Sequence, residues 1–249
     1  MAAYKDIKGT QVPVVSSNPD NPVRGQVWYN TTDQVLRGAL FTAAWATGGA
    51  MSTGRRELGA ANQAPGHSAG LVFGGYKSPA GPTNATEEYD GSSWTNGGNL
   101  TTSRQRLAGG GTQTAGLAFG GGYPPTNHAE TEEYDGSSWT NGGNLGTARG
   151  RLGGSGIQTA GLAFGGSTVA EPPSKTDATE EYDGSSWTNG GALGTARYLL
   201  SGSGAQDAAL AAGGNDGSES SACEVYDGSS WTATTSMSAT ASYAAGSGT

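Results

Sequence analysis

The groups in this chain best suited to chemistry are carboxylates that come in threes. Glu87, Glu88 and Asp90 form one set, Glu132, Glu133 and Asp135 a second, and Glu180, Glu181 and Asp183 a third. Two carboxylates facing a glycosidic bond can serve as acid and base, or as acid and nucleophile. An active site, however, is built once, whereas these sets recur at equivalent places, which marks them as scaffold. The Asp of each set reads as a turn residue. His67 and His128 are the only histidines and are not at metal-ligand spacing. His67 stands where Gln113, Gln158 and Gln206 stand elsewhere, so a hydrogen-bonding role is expected of it. The single cysteine, Cys223, allows neither an internal disulfide nor a cysteine cluster for a metal, and reads as a small strand residue. No Ser–His–Asp arrangement can be singled out among so many loop serines. Neither an enzyme nor a cofactor is expected.

The elements that position these groups are repeats. TEEYDGSSWTNGG occurs at 86–98, 131–143 and 179–191, and a decayed copy, CEVYDGSSWTATT, begins at Cys223. Before them come LVFGG, LAFGG twice and LAAGG. Trp45, Trp94, Trp139, Trp187 and Trp231 mark five units, and ten residues beyond each stand Arg55, Arg104, Arg149, Arg197 and Ala241. Each unit reads as four short strands, since no helical period is sustained and Asp–Gly is a strong hairpin signal. One Trp and one Tyr per unit predict packing between units. Glu88, Glu133 and Glu181 each lie sixteen residues before Arg104, Arg149 and Arg197, and the fourth unit replaces both members, by Val225 and Ala241. That coincidence predicts a Glu–Arg pair joining the third strand of one unit to the start of the next.

Paired glycines closing strand two, Tyr–Asp ending strand three and Trp opening strand four resemble kelch-type repeats over about residues 55–249. The resemblance implies an all-β, five-bladed kelch-like β-propeller with four-stranded blades, closed by N- and C-terminal strands that share one blade. Its repeat blades would span about 51–98, 99–143, 144–191 and 192–236. Blade five would combine 10–50 with 237–249, because GTQVPVVSS (9–17) resembles GTQTAGLAF (111–119) and VWYN (27–30) stands where EEYD stands elsewhere. Residues 1–9 would form an N-terminal arm against a neighbouring subunit or another protein. The alternative is that 1–50 is a separate arm beside four blades and a fragment. DGSSW also resembles the Asp-box hairpin of sialidases, imperfectly, because Gly91, Gly136 and Gly184 follow the Asp directly. A sialidase-like hydrolase would need one unique acidic pocket.

Composition narrows the classes further. Of 249 residues 45 are glycine, and the net charge is −8, which disfavours binding to a phosphate backbone. No apolar run approaches the roughly 18–20 residues of a membrane helix, and MAAYKDIKGT has no signal-peptide h-region. NTT (30–32), NAT (84–86) and NLT (99–101) fit the glycosylation pattern but carry little weight without such a signal. Neither nucleic acid nor membrane insertion is expected.

The units diverge in one place, the connection from strand two to strand three: YKSPAGPTNA at 76–85, GYPPTNHAE at 122–130, STVAEPPSKTDA at 167–178 and NDGSESSA at 215–222. Divergence over a constant scaffold fits a binding surface made of loops, and it fits equally loops under no constraint. The candidate ligand-binding residues there are Tyr76, Lys77, Tyr123, His128 and Lys175, aromatic faces for a sugar ring and polar groups for its hydroxyls. Finally, GTQVPVVSSNPDNPVRGQVWYNTTDQVLRG together with the YDGSSWT repeats resembles structural proteins of tailed bacteriophages, marine ones especially. That resemblance implies a virion component, tail-associated, assembled in the host cytoplasm in several copies beside other virion proteins. Its implied partner is a host surface glycan or envelope protein. A purely architectural virion component and an intracellular kelch adaptor are the remaining alternatives.

Overall fold

The computed structural model describes residues 13–17, 27–38, 48–61, 63, 68–169 and 173–246. Strands and turns account for its regular structure, with no helix among the described residues. The chain divides into two compact units, 1–47 and 48–249.

The first unit holds β1 (Val14–Val15), β2 (Val27–Asn30) and β3 (Val35–Gly38), in that order in one sheet. The turn between β2 and β3 follows from its residues. Asn30 Oδ1 accepts the amide hydrogens of Thr32 at 2.9 Å and Asp33 at 3.1 Å, and Gln34 takes the left-handed conformation at φ 56°. β1 runs parallel to β2, with Val14 opposite Tyr29. The likeness of 9–17 to 111–119 leads one to expect an antiparallel neighbour. The connection from Ser16 to Gln26 is about as long as a parallel crossover requires.

The second unit is four copies of one meander. The first repeat has β4 (Gly59–Ala61), β5 (Gly70–Phe73), a loop hairpin of β6 (Tyr76–Lys77) and β7 (Gly81–Pro82), then β8 (Thr86–Tyr89) and β9 (Trp94–Asn96). The second has β10 (Ala108–Thr112), β11 (Ala115–Phe119), a hairpin of β12 (Gly122–Tyr123) and β13 (Thr126–Asn127), then β14 (Thr131–Tyr134) and β15 (Trp139–Asn141). The third has β16 (Gly153–Ile157), β17 (Ala160–Phe164), β18 (Thr179–Tyr182) and β19 (Trp187–Asn189). The fourth has β20 (Ser201–Ala205), β21 (Ala208–Ala212), β22 (Cys223–Tyr226) and β23 (Trp231–Thr234). Each repeat forms one four-stranded antiparallel sheet in chain order, apart from the loop hairpins. The register is constant: Tyr134 faces Trp139, Tyr182 faces Trp187 and Tyr226 faces Trp231. Asp–Gly makes the turn between them. Asp135 Oδ1 accepts the amide hydrogens of Ser137 and Ser138 at 2.8 Å each while Gly136 sits at φ 93°.

The abundance of glycine has a steric cause in the first strands. A side chain at Gly110 would meet the Gly156 carbonyl oxygen at 2.7 Å, and one at Gly202 would meet that of Gly154 at 2.5 Å. Consecutive first strands lie too close for anything larger. Farther out the sheets diverge, and the core lies between successive repeats. Leu71 and Phe73 of the first repeat pack with Leu100, Leu107, Ala118, Tyr134 and Trp139 of the second, and the pattern recurs twice. Phe73 meets Trp139 edge-on with centroids 4.9 Å apart, and Trp139 Nε1 donates to Thr86 Oγ1 at 2.9 Å. Full burial of a Phe side chain is worth roughly 1.5–3 kcal/mol. Trp187 and Trp231 repeat the bond, to Thr131 and Thr179. Thus Trp139, Trp187 and Trp231 join neighbouring repeats. Trp94 packs on Tyr89 at 5.0 Å within its own sheet, and Trp45 lies outside the described residues.

The Glu–Arg pairing is corrected in its partners. Arg104 pairs with Glu132 at 2.9 Å, Arg149 with Glu180 at 2.9 Å, Arg197 with Glu224 at 2.6 Å and Arg55 with Glu87 at 2.7 Å. Each Arg therefore reaches the third strand of its own sheet, and Arg104, Arg149 and Arg197 do not pair with Glu88, Glu133 and Glu181 of the preceding repeats. Adjacent strand residues point to opposite faces, so the two glutamates of each Glu–Glu pair cannot serve one guanidinium. Glu88, Glu133 and Glu181 instead accept the hydroxyls of Tyr134, Tyr182 (2.6 Å) and Tyr226 (2.5 Å) from the following repeat. In the fourth repeat the ion pair survives. What Val225 removes is the acceptor for a tyrosine, and both Val225 (42%) and its cross-strand partner Leu210 (37%) are exposed, while Leu117 and Leu162 are fully buried.

Candidate functional site

The structure accounts for the carboxylate triplets one by one. Glu132 is buried against Arg104 and also accepts the Thr101 amide hydrogen at 2.6 Å. Burial draws the Arg104 guanidinium below its ordinary pKa, with Glu132 opposing that shift. Glu133 takes the Tyr182 hydroxyl. Asp135 holds its turn, and the donated hydrogen bonds from Ser138 and Ser137 lower its pKa to about 2. Burial, with Glu88, pushes the Tyr134 hydroxyl up to about 12. Gln113 Nε2 donates to the Tyr89 carbonyl at 2.9 Å, and Gln158 and Gln206 do the same for Tyr134 and Tyr182. His67, expected to play that part, lies outside the described residues. Cys223 is buried and free. No group of three or more metal-ligating side chains occurs among the described residues.

What remains is the end of the second unit where the divergent connections lie. In every repeat the first residue of that connection bridges to the residue just after the buried Arg: Tyr76 to Arg56, Gly122 to Gln105, Ser167 to Gly150 and Asn215 to Tyr198. The repeated Arg is thus followed by a variable residue on the loop face. Non-repetition at one position inside a repetitive body is the sequence signal for Arg56 and Tyr198, and no candidate residue above rests on it.

Tyr76 and Tyr123 come together from neighbouring repeats, their rings 6.2 Å apart at 18°. Arg56 Cζ lies 4.7 Å from the Tyr76 centroid, which makes a ladder of guanidinium, half-buried ring and ring 45% exposed. The pleat turns Lys77 to the side opposite Tyr76, away from this ladder. Lys175 Nζ donates to the Asp216 carbonyl, and His128 Nδ1 lies 3.1 Å from Glu130 Oε2. The five candidates do not converge: two stack, Lys77 is exposed, His128 lies against its own loop, and Lys175 reaches the loop of the next repeat.

At the same end the first strands open into a cavity of about 560 Å³ lined by Leu58–Ala60, Leu107–Gly109, Leu152–Gly154, Leu200–Gly202 and Tyr243–Gly246. Around its mouth five residues that are not glycine share one left-handed conformation: Glu57 (φ 56°), Arg106 (59°), Arg151 (57°), Leu199 (59°) and Tyr243 (58°). Each such residue costs about 1 kcal/mol or more. The return is a hydrogen-bonded sequence, in which the amide of Arg106 donates to the Glu57 carbonyl (2.8 Å), Arg151 to Arg106 (2.8 Å), Leu199 to Arg151 (2.7 Å) and Tyr243 to Leu199 (3.2 Å). Residues after Met237 therefore copy the opening of a repeat. The Met237 amide donates to Ser221 O at 2.9 Å as Leu193 does to Asp177, and Gly214 donates to Ala241 O at 2.8 Å as Gly166 does to Arg197.

The chain matches no protein-family model, and no curated protein is significantly similar to it.

Proposed function

We propose that the chain is a five-bladed β-propeller of the kelch type that presents its variable loops as a recognition face. Residues 237–246 open the fifth blade and residues from 10–50 supply its other strands. Support comes from the fifth left-handed residue, Tyr243, in sequence with the four of the repeats. The exposed pair Leu210 and Val225 also marks a sheet face at which the other repeats are covered by a neighbour.

In this reading the protein is a non-enzymatic virion component of a tailed bacteriophage. It is tail-associated, present in several copies beside other virion proteins, and its loop face contacts a host surface glycan or envelope protein. The observation that carries the reading is the division of labour within each repeat. The carboxylates and Arg of the repeated body, and the Trp and Tyr of the second to fourth repeats, are bonded to other parts of the scaffold, while the loops beside Arg56, Gln105, Gly150 and Tyr198 differ in every copy. Weak individual contacts would gain strength from multiple copies on one particle. The test is to replace 122–130 by the 215–222 sequence in phage particles. Intact particles with reduced adsorption to host cells support the reading. Unchanged adsorption after all four loops are replaced overturns it and leaves an architectural component.

A further inference from the structure

We propose that the Arg56–Tyr76–Tyr123 ladder binds an acidic oligosaccharide, with Tyr123 under one pyranose ring and Arg56 at the carboxylate borne by another sugar of the same chain. The proposal rests on the loop-face reading and names its ligand class.

The geometry supplies both halves of such a site. Tyr123 is 45% exposed, yet its ring is held nearly parallel to Tyr76 at 6.2 Å, so an aromatic face is displayed in a fixed orientation. The C–H face of a pyranose packs on such a ring, as apolar surface does on any aromatic face. Arg56 stacks on Tyr76 at 4.7 Å. Stacking uses the flat face of a guanidinium and leaves its N–H edge for a planar, bidentate partner such as a carboxylate. Among the described residues no hydrogen bond or ion pair engages that edge. The acid adjacent in sequence, Glu57, is already committed to Arg106 at 3.1 Å. A neutral sugar would leave this preorganised cation unused. Among the described residues the ladder exists only between the first two repeats, because the places of Tyr76 and Tyr123 are taken by Ser167 and Thr168 in the third and by Asn215 and Asp216 in the fourth. A scaffold contact would recur, and this one does not.

The test is calorimetric or NMR titration of the full-length protein with an oligogalacturonate, with a neutral malto-oligosaccharide and with a single-stranded oligonucleotide. The expected result is binding of the oligogalacturonate alone, weakened about tenfold by Arg56→Gln and by Tyr123→Ala. Lys77→Gln, on the far side of the pleat, should change it by less than about twofold, and raising the salt from about 0.05 to about 0.5 M should weaken it. Circular dichroism of each variant must match the parent, and Tyr123→Phe should retain binding if the ring face is what matters. Equal affinity for the neutral sugar, or insensitivity to Arg56→Gln, overturns the acidic-saccharide assignment. Binding of the oligonucleotide in its place does the same. If no saccharide binds while the 122–130 replacement still abolishes adsorption of particles, this site is wrong and the loop-face reading survives.

Discussion

The hydroxyl of Tyr182 donates to Glu133 of the preceding repeat at 2.6 Å and accepts the amide hydrogen of Gly143 at 3.3 Å, so one phenol joins the third strand of one sheet to the exit of its fourth. Tyr134 and Tyr226 make the same clasp one repeat earlier and one repeat later. Cohesion between repeats therefore depends on a carboxylate that accepts from a phenol kept protonated.

Tyr182→Phe should destabilise the protein by about 1–3 kcal/mol, since it leaves Glu133 half-buried without its donor. Denaturant unfolding checks this. The same clasp has an alkaline signature. A phenol whose folded pKa is raised, to about 12 for Tyr134 and Tyr226, contributes stability that is complete below about pH 10 and is lost as pH rises through the folded value. Ultraviolet titration should show these tyrosines ionising only with alkaline unfolding.

A double-mutant cycle on Arg149 and Glu180 should show strong coupling. Removing one member of a buried pair costs about 3–5 kcal/mol, and removing both costs less than the sum. A cycle on Arg149 and Glu133 should couple by less than about 0.5 kcal/mol. The reverse ranking would contradict the assignment of partners.

The turn aspartates predict the acid limb. Asp135, Asp183 and Asp227 have pKa values lowered to about 2 by hydrogen bonds from the following serines, and Asp90 is lowered further. Groups depressed on folding contribute stability above their unfolded pKa near 3.9 and lose it as pH falls toward the folded value. Stability should decline between about pH 4 and pH 2. Asp→Asn at all four turns should flatten that decline, as urea titrations across the range would show.

Deleting 237–249 should lower the melting temperature by more than about 5 °C, because the segment supplies the bonds of Met237, Ala241 and Tyr243 to the fourth repeat. A change within about 1 °C would mean that the segment only lies on repeats already stable without it.

Much of this architecture was legible from residues because it is local. Asp–Gly between Tyr and Trp specifies a turn within five residues, and Trp139, Trp187 and Trp231 lie between repeats as their single occurrence per unit leads one to expect. Partner choice was not legible. The Glu next to the expected one takes the Arg, and that choice depends on which sheet face each side chain leaves by, which spacing alone does not express. Nor was the left-handed sequence at the cavity mouth, because Glu57, Arg106, Arg151, Leu199 and Tyr243 share no side-chain chemistry that announces positive φ. At the loop face Tyr76 and Tyr123 stood out as aromatics outside the pattern. Arg56 was hidden by Arg55 beside it, whose repetition drew the notice.

The strand ladder also bears on chemical ageing. Asn96–Gly97, Asn141–Gly142 and Asn189–Gly190 are dipeptides of a fragile kind, since the glycine amide nitrogen can attack the asparagine carboxamide, expel ammonia and leave a succinimide that water opens to aspartate or isoaspartate. Asparagine is among the thermolabile residues for this reason. Here each of those nitrogens donates its hydrogen to a threonine carbonyl on strand three, Gly97 to Thr86 at 3.0 Å, Gly142 to Thr131 at 2.9 Å and Gly190 to Thr179 at 3.0 Å. The nucleophile is occupied for as long as the sheet stays zipped, so the lifetime of these asparagines is governed by how often the outermost strand frays.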